Sequence, residues 1–272
     1  MRPRGGAQPY GSRDRPAGVR TPRDPSYLRD LFSRSARFYD RVNVLTSVGQ
    51  VARWRKETVA LAAPRPSDRV LDAFSGPGGL GERALPYLGH GGGLVLVDLS
   101  PVMLHEACRR VSLRLPALVA DRPRIAYVPG DILRQDMDLG IFDVVLLGWG
   151  LRYVPDVPAA LARLRSFLRP GGRLALLEFT RPAGRGWALP AHLYFRKVVP
   201  ALGARLAGDC ELHDYLHVSS AAFLDADALS AALERSGFRV VAQRSRLGGL
   251  VTTIVATPAT SGREGMGAPI RG

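Results

Sequence analysis

The chain has 272 residues, 46% of them hydrophobic, with two cysteines (Cys108 and Cys210) and a formal net charge of +14 at pH 7. This length and apolar content suit one large domain with tails; two cysteines cannot build a disulfide framework, and without a C-x-x-C pair or a histidine cluster there is no zinc pattern. No run reaches the ~18 apolar residues that a bilayer-spanning helix needs, and the Arg-, Pro- and Gly-rich start lacks the apolar stretch of a secretory signal. The charge is almost all arginine, Lys56 and Lys197 being the only lysines, and part of it sits at Arg2, Arg4, Arg13, Arg15, Arg20 and Arg23. A basic surface attracts nucleic acid or an anionic membrane, and a solvated surface with compositional bias accounts for it equally well.

In chain order, residues 1–26 read as a disordered basic tail, its prolines arguing against an amphipathic transit helix. The domain is expected over 27–258, and 259–272, rich in glycine and small residues, as a flexible tail. An opening helical region covers about Leu28 to Ala62 and forms an N-terminal cap. Apolar strand candidates follow at Arg69–Ala73, Leu94–Asp98, Arg124–Pro129, Phe142–Leu147 and Arg173–Phe179, with helical patterns such as Pro101–Ser112 and Val157–Leu168 between them. Strands alternating with helices argue a parallel sheet with right-handed crossovers. The end differs: Phe238–Arg244, Gly248-Gly249 and Val251–Thr257 read as strand, glycine turn and strand. The expected class is α/β, a Rossmann-like three-layer sandwich of the class I methyltransferase type. Its seven-stranded sheet is mostly parallel, with an antiparallel final strand pair.

The segment Val70-Leu-Asp-Ala-Phe-Ser-Gly-Pro-Gly-Gly-Leu-Gly81 carries most of the chemistry. It reads as a buried strand ending in an acid, Asp72, followed by Gly76, Gly78 and Gly81 at the G-x-G-x-x-G spacing that brings backbone N–H groups to a nucleotide-like cofactor. A second acid, Asp98, closes the next apolar run, about twenty residues on, where it is placed for two ribose hydroxyls. A structural turn without ligand is the plain alternative, and Asp72 and Asp131 also suit helix caps or turns.

Further motifs carry a resemblance. The run Phe32-x-x-x-Ala36-x-x-Tyr39-Asp40-x-x-Asn43-x-Leu45-x-Ser47-x-Gly49, closing on Trp54-Arg55, resembles the opening region of the menaquinone/ubiquinone C-methyltransferases. So do Gly148-Trp-Gly-Leu-Arg-Tyr-Val-Pro-Asp156, Leu168-Arg-Pro-Gly-Gly-Arg173, Leu177-Glu-Phe-Thr-Arg-Pro182, the Val-Pro-x-Leu-Gly core within Phe195–Gly203, and Ser236-Gly-Phe238. The likeness runs from about Leu28 to Pro258. It implies S-adenosyl-L-methionine as cofactor, held by Asp72, Gly76, Pro77, Gly78, Asp98, Leu99, Asp131, Ile132 and Gly148. Asp131 would meet the adenine amine, and the helix after the turn would favour the cofactor's carboxylate. On the acceptor side it implies catalytic Arg152, Tyr39 and His213, with Asp40, Asn43, Tyr153 and Tyr215 around the substrate.

The implied reaction is attack of a quinol ring carbon on the sulfonium methyl, where alignment and water exclusion supply much of the acceleration. Arginine is a poor base at its pKa, so Arg152 would steady a phenolate or hold a relaying water, whereas His213 has a neutral-range pKa suited to a base. The chain departs from the family pattern at Phe74, usually small, at Pro77 for Thr, and at Gly79 for Asp. It departs again at Gly148 for Ser, at Tyr153 for Asn, and at Val218 for Glu. The altered segment 213–220 keeps open a C- or O-methyltransferase of another phenolic or polyketide-like compound. A cofactor-binding homologue without turnover and a nicotinamide oxidoreductase are further alternatives. Specific nucleic-acid modification is disfavoured, because Gly148-Trp-Gly-Leu stands where base amine methylation uses Asn/Asp-Pro-Pro-aromatic. The expected setting is cytoplasmic. The broken apolar stretch Ala188–Leu206 reads as a lid or a membrane-facing surface, with core packing as the alternative.

Overall fold

A computed structural model describes residues 24–47, 49–115, 123–182, 215, 219–220 and 222–259. Helix α1 (Pro25–Thr46) starts earlier than expected, because Asp24 accepts from the Ser26 N–H at 2.8 Å and Pro25 occupies the first turn, where its missing N–H costs nothing. Pro25 and Ser26 therefore belong to a helix rather than to the basic tail. The opening helical region is two helices: Gly49, at φ 76°, breaks it before α2 (Gln50–Ala62).

The sheet contains β1 (Arg69–Ala73), β2 (Gly93–Asp98), β3 (Arg124–Pro129), β4 (Phe142–Gly148), β5 (Leu168–Phe179), β6 (Phe238–Arg246) and β7 (Val251–Pro258). Its order is β3-β2-β1-β4-β5-β7-β6. The first five strands pair in parallel, and β7 is antiparallel to both β5 and β6. The class I methyltransferase architecture expected from the sequence is the one found. One boundary differs: Leu168–Gly172 belongs to β5, with a register shift opposite Phe142–Val144 and Gly171 at φ 73°, so Pro-Gly-Gly lies in an irregular stretch of the strand instead of before it.

Alternation along the central strands sends residues to two cores. Val70, Val144, Leu146, Ala175 and Leu177 meet Val51, Trp54 and Val59 of α2 and residues of α4 (Pro101–Arg114). Leu71, Val145, Leu147, Leu174 and Leu176 meet Leu161 and Leu164 of α5 (Val157–Ser166) and Leu229 and Leu233 of α6 (Ala226–Arg235). Helices thus cover both faces. The strand order reverses at β1, so the crevice beyond the carboxyl ends of β1, β2 and β4 is where such a sheet holds its ligand. Among the described residues no helix is long and apolar enough to cross a membrane.

Candidate functional site

The glycine turn grows directly out of β1. Phe74 takes φ 55°, unusual for a bulky residue, and Gly76 and Gly78 take 52° and 75°. A Cβ on Gly78 would also lie 2.9 Å from the Ala107 Cβ, so conformation and packing on α4 both require glycine there. The two acids hold the turn together. Asp72 accepts from the Gly81 N–H at 2.7 Å; Asp98 accepts from Gly76 at 2.8 Å and Ser100 at 2.9 Å. Burial pushes the Asp72 carboxyl up to about 8, against the pull of the Gly81 N–H and the Arg55 charge. Burial likewise raises Asp98 to about 6, against its two backbone donors. Such groups gain from a cation placed beside them.

The helix after the turn, α3 (Gly81–Ala84), is a single turn. Its first N–H is spent on Asp72, and Glu82 donates to the Gly78 carbonyl. Of the donors at this N-terminus, those of Gly81 and Glu82 are thus engaged within the turn, while Gly79 and Leu80 line the cavity.

A cavity of ≈ 1000 Å³, counting its open mouth, lies over the turn. Asp72, Gly76, Pro77, Asp98, Leu99 and Asp131 line one end, and Gly148 lines it from the carboxyl end of β4. Asp131 also accepts from the Leu133 N–H at 2.9 Å, combining the turn role with the site role. Gly78 and Ile132 stand beneath the wall, Ile132 packed into the α5 core.

The other end of the cavity is aromatic. Phe32 and Tyr39 of α1 and Tyr153 after β4 face it, with Phe32 edge-on to Tyr153 at 5.2 Å and to Tyr39 at 6.0 Å. Tyr215 stacks on Tyr153 from behind, with centroids 5.4 Å apart and planes at 19°. Asn43 hydrogen-bonds the Tyr39 side chain, and Asp40 pairs with Arg55 and Arg110, so both support the wall instead of forming it. His213 lies outside the described residues, as do Cys210 and Ala188–Leu206.

Arg152 is 2% exposed and does not line the cavity. Its guanidinium pairs with Glu178, itself 0% exposed, and donates to the Tyr153 hydroxyl while lying 4.4 Å from that ring's centroid. Glu178 also accepts from the N–H groups of Leu151 and Phe179 at 3.1 and 2.9 Å. Burial works against the charge of Arg152, yet Tyr153, Glu178 and Tyr39 hold its pKa above the ordinary arginine value. Burial also raises Tyr153 and Tyr39, despite the nearby guanidinium, so neither phenol is a base near neutrality.

Residues 21–257 match the ubiE/COQ5 methyltransferase family. The chain belongs to that family. The demethylmenaquinone methyltransferase of Mycolicibacterium vanbaalenii is 32% identical over 237 residues, 87% of this chain and 97% of that protein. Its counterpart from Thermus thermophilus is 34% identical over 210 residues, 77% and 92% of the two chains. A solved S-adenosylmethionine-dependent methyltransferase from Aquifex aeolicus matches at TM-score 0.55 and 12% identity, covering 81% of this chain and 98% of its own, which speaks for the fold alone.

Membership of the ubiE/COQ5 family makes this chain a methyltransferase, and family and fold imply S-adenosylmethionine as donor. The residues present fit that group: three acids face one cavity at the carboxyl ends of β1, β2 and β3, two of them raised by burial in a way that a cationic ligand relieves. Two departures from the family pattern have local partners. A Cβ on Gly150 would fall 2.7 Å from the Phe74 Cβ, so Phe74 packs onto a glycine. A Cβ on Gly148 would meet Leu80 at 2.9 Å, so the missing serine makes room for that leucine. Glu178 and Arg55 escaped the sequence reading as site residues although both lie in the quoted runs Leu177–Pro182 and Trp54-Arg55. Their burial as charged groups is what marks them.

Proposed function

We propose that the chain methylates a ring carbon of a prenylated hydroquinone of the demethylmenaquinol type. The observation that carries this is the continuous cavity joining the Asp72–Asp98 end to the aromatic wall of Phe32, Tyr39 and Tyr153, in a chain whose relatives are named for that substrate. Asp98 receives the ribose hydroxyls, Asp131 the adenine amine and Asp72 the ammonium. Bound S-adenosylmethionine supplies an electrophilic methyl on a sulfonium. The acceptor's ring carbon would take that methyl as the methyl–sulfur bond breaks to leave S-adenosylhomocysteine; the hydroxyl proton would pass to water, and loss of the ring C–H proton with return of a proton to the oxygen would restore the aromatic hydroquinone.

Tyr153 is the group that meets the acceptor's oxygen. Because its own oxygen accepts from Arg152, its proton is left to point toward the cavity and steady a developing phenolate. Arg152 and Glu178 are positioning residues behind it. The wall excludes water from the transfer. Acceptor entry from a membrane surface and residence in the cytoplasm complete the proposal.

A second reading is favoured by one observation: a tyrosine, Tyr153, lines the cavity where the family has an asparagine, and its larger side chain leaves less room at the acceptor end, which suits a compact phenol. Competition between demethylmenaquinol and unprenylated naphthohydroquinones for labelled methyl tests this. The first reading expects the prenylated acceptor to have the higher kcat/KM; reversal selects the second.

A further inference from the structure

Helix α1 carries two opposed faces. Leu28, Phe32 and Tyr39, at helical spacing, line the cavity, and Leu31, Ser35, Ala36 and Val42 are buried. Over residues 31–45 the exposed side chains are Arg34, Arg37, Phe38, Arg41, Val44 and Leu45. They too recur at helical spacing, and they fall about half a turn round the axis from Phe32 and Tyr39. The helix thus stands between the cavity and a separate outward stripe.

That stripe mixes hydrocarbon with positive charge. Phe38, Val44 and Leu45 are 36%, 40% and 51% exposed. One exposed apolar residue is ordinary, but three on one stripe interleaved with arginines form a patch. The stripe holds no acid. Asp40, next to Arg41 in the chain, is committed to Arg55 and Arg110, and among the described residues no carboxylate pairs with Arg37 or Arg41.

Charge decides what covers this face. A second copy would set arginine against arginine, and residues 1–23, with six arginines and one acid, would be repelled as well. An anionic lipid surface matches both components. Guanidiniums meet the phosphates while their stems lie along apolar neighbours, and Phe38, Val44 and Leu45 enter the boundary between headgroups and acyl chains. Nucleic acid would match the arginines but offers no hydrocarbon to Val44 and Leu45.

We infer that the outward stripe of α1 docks this protein on an anionic membrane surface. The docking stands on the stripe alone, while its use in delivering an acceptor rests on the prenylated-hydroquinone reading above. The same helix carries Phe32 and Tyr39 of the aromatic wall, which then stand about one helix diameter, some 10 Å, from the headgroups.

The test is sedimentation of the full chain with vesicles of equal parts phosphatidylglycerol and phosphatidylcholine, or of phosphatidylcholine alone. The parent should bind the anionic vesicles at least about tenfold more strongly. Phe38→Ser with Leu45→Ser keeps every charge and should weaken that binding by about tenfold or more. Arg37→Gln with Arg41→Gln should weaken it by a similar factor of about ten or more. All four side chains are exposed, so thermal unfolding of both variants should match the parent. Undiminished vesicle binding by the Phe38→Ser, Leu45→Ser chain would overturn the docking face and assign attachment to diffuse charge elsewhere. Binding to single-stranded RNA tighter than to vesicles, lost only in the arginine variant, would overturn it in favour of nucleic acid. Methyl transfer to detergent-dispersed demethylmenaquinol separates the two readings. Parent-level transfer by a variant that no longer binds vesicles supports both, and no transfer by a parent that binds them would overturn the acceptor reading while leaving the docking face in place.

Discussion

Tyr153 lines the cavity and its hydroxyl accepts from the Arg152 guanidinium, so in the proposed reaction it is the contact through which that buried ion pair reaches an acceptor. Tyr153→Phe should therefore lower kcat while leaving S-adenosylmethionine affinity nearly unchanged, as single-turnover kinetics with calorimetry would show. Arg152→Met strands the Glu178 carboxylate in the core, and denaturant unfolding should find it about 3–5 kcal/mol less stable; a loss below 1 kcal/mol would mean that Glu178 finds another partner. Asp98→Ala should weaken cofactor binding by about 1–3 kcal/mol. At this scale the sequence showed where the acids stand, because a carboxylate at a strand's end beside a glycine turn is fixed by chain order. It did not show that Arg152 lies one layer behind the wall, since a run such as Gly-Leu-Arg-Tyr does not say which of two neighbours faces inward. The pairs Phe74 with Gly150 and Leu80 with Gly148 were equally hidden: each joins residues from different elements, and each looks like an isolated departure when read along the chain.

The strands place these groups, and the strands were the most legible feature. Val144 to Leu147 alternate between two covered faces, so the run reads as continuously apolar and has only one way to be buried. Leu146 is 0% exposed between β1 and β5, and Leu146→Ala should destabilise the fold by about 2–5 kcal/mol in urea. A substitution there that cost under 1 kcal/mol would contradict the packing. What stayed illegible were element ends. β5 continues back through Pro170 because its irregular pairing opposite Phe142 tolerates a residue that regular central pairing rejects. α3 stops after one turn where the chain passes directly into Leu85-Pro86-Tyr87.

At the scale of the molecule, two buried carboxyls lend the fold a pH dependence opposite in sign to ordinary acid denaturation. Asp72 and Asp98 are raised to about 8 and about 6 in the folded chain. Unfolded, they titrate near the usual aspartate value of about 4. The folded state therefore holds more protons between these limits, and their contribution is complete below pH 4 and lost as pH rises through 6 to 8. The ligand-free chain should lose stability over that window, and S-adenosylmethionine should bind more tightly toward its upper end, with proton release. Denaturant midpoints with and without ligand from pH 5 to 9 check both signs.

The measurement that bears most directly on the assignment is transfer of labelled methyl from S-adenosylmethionine to reduced demethylmenaquinone by the purified chain, with the product located by NMR. The expected result is label on the ring carbon, dependent on Tyr153 and on the reduced acceptor. Label on a hydroxyl oxygen, or no transfer by a chain that binds the cofactor, would contradict it.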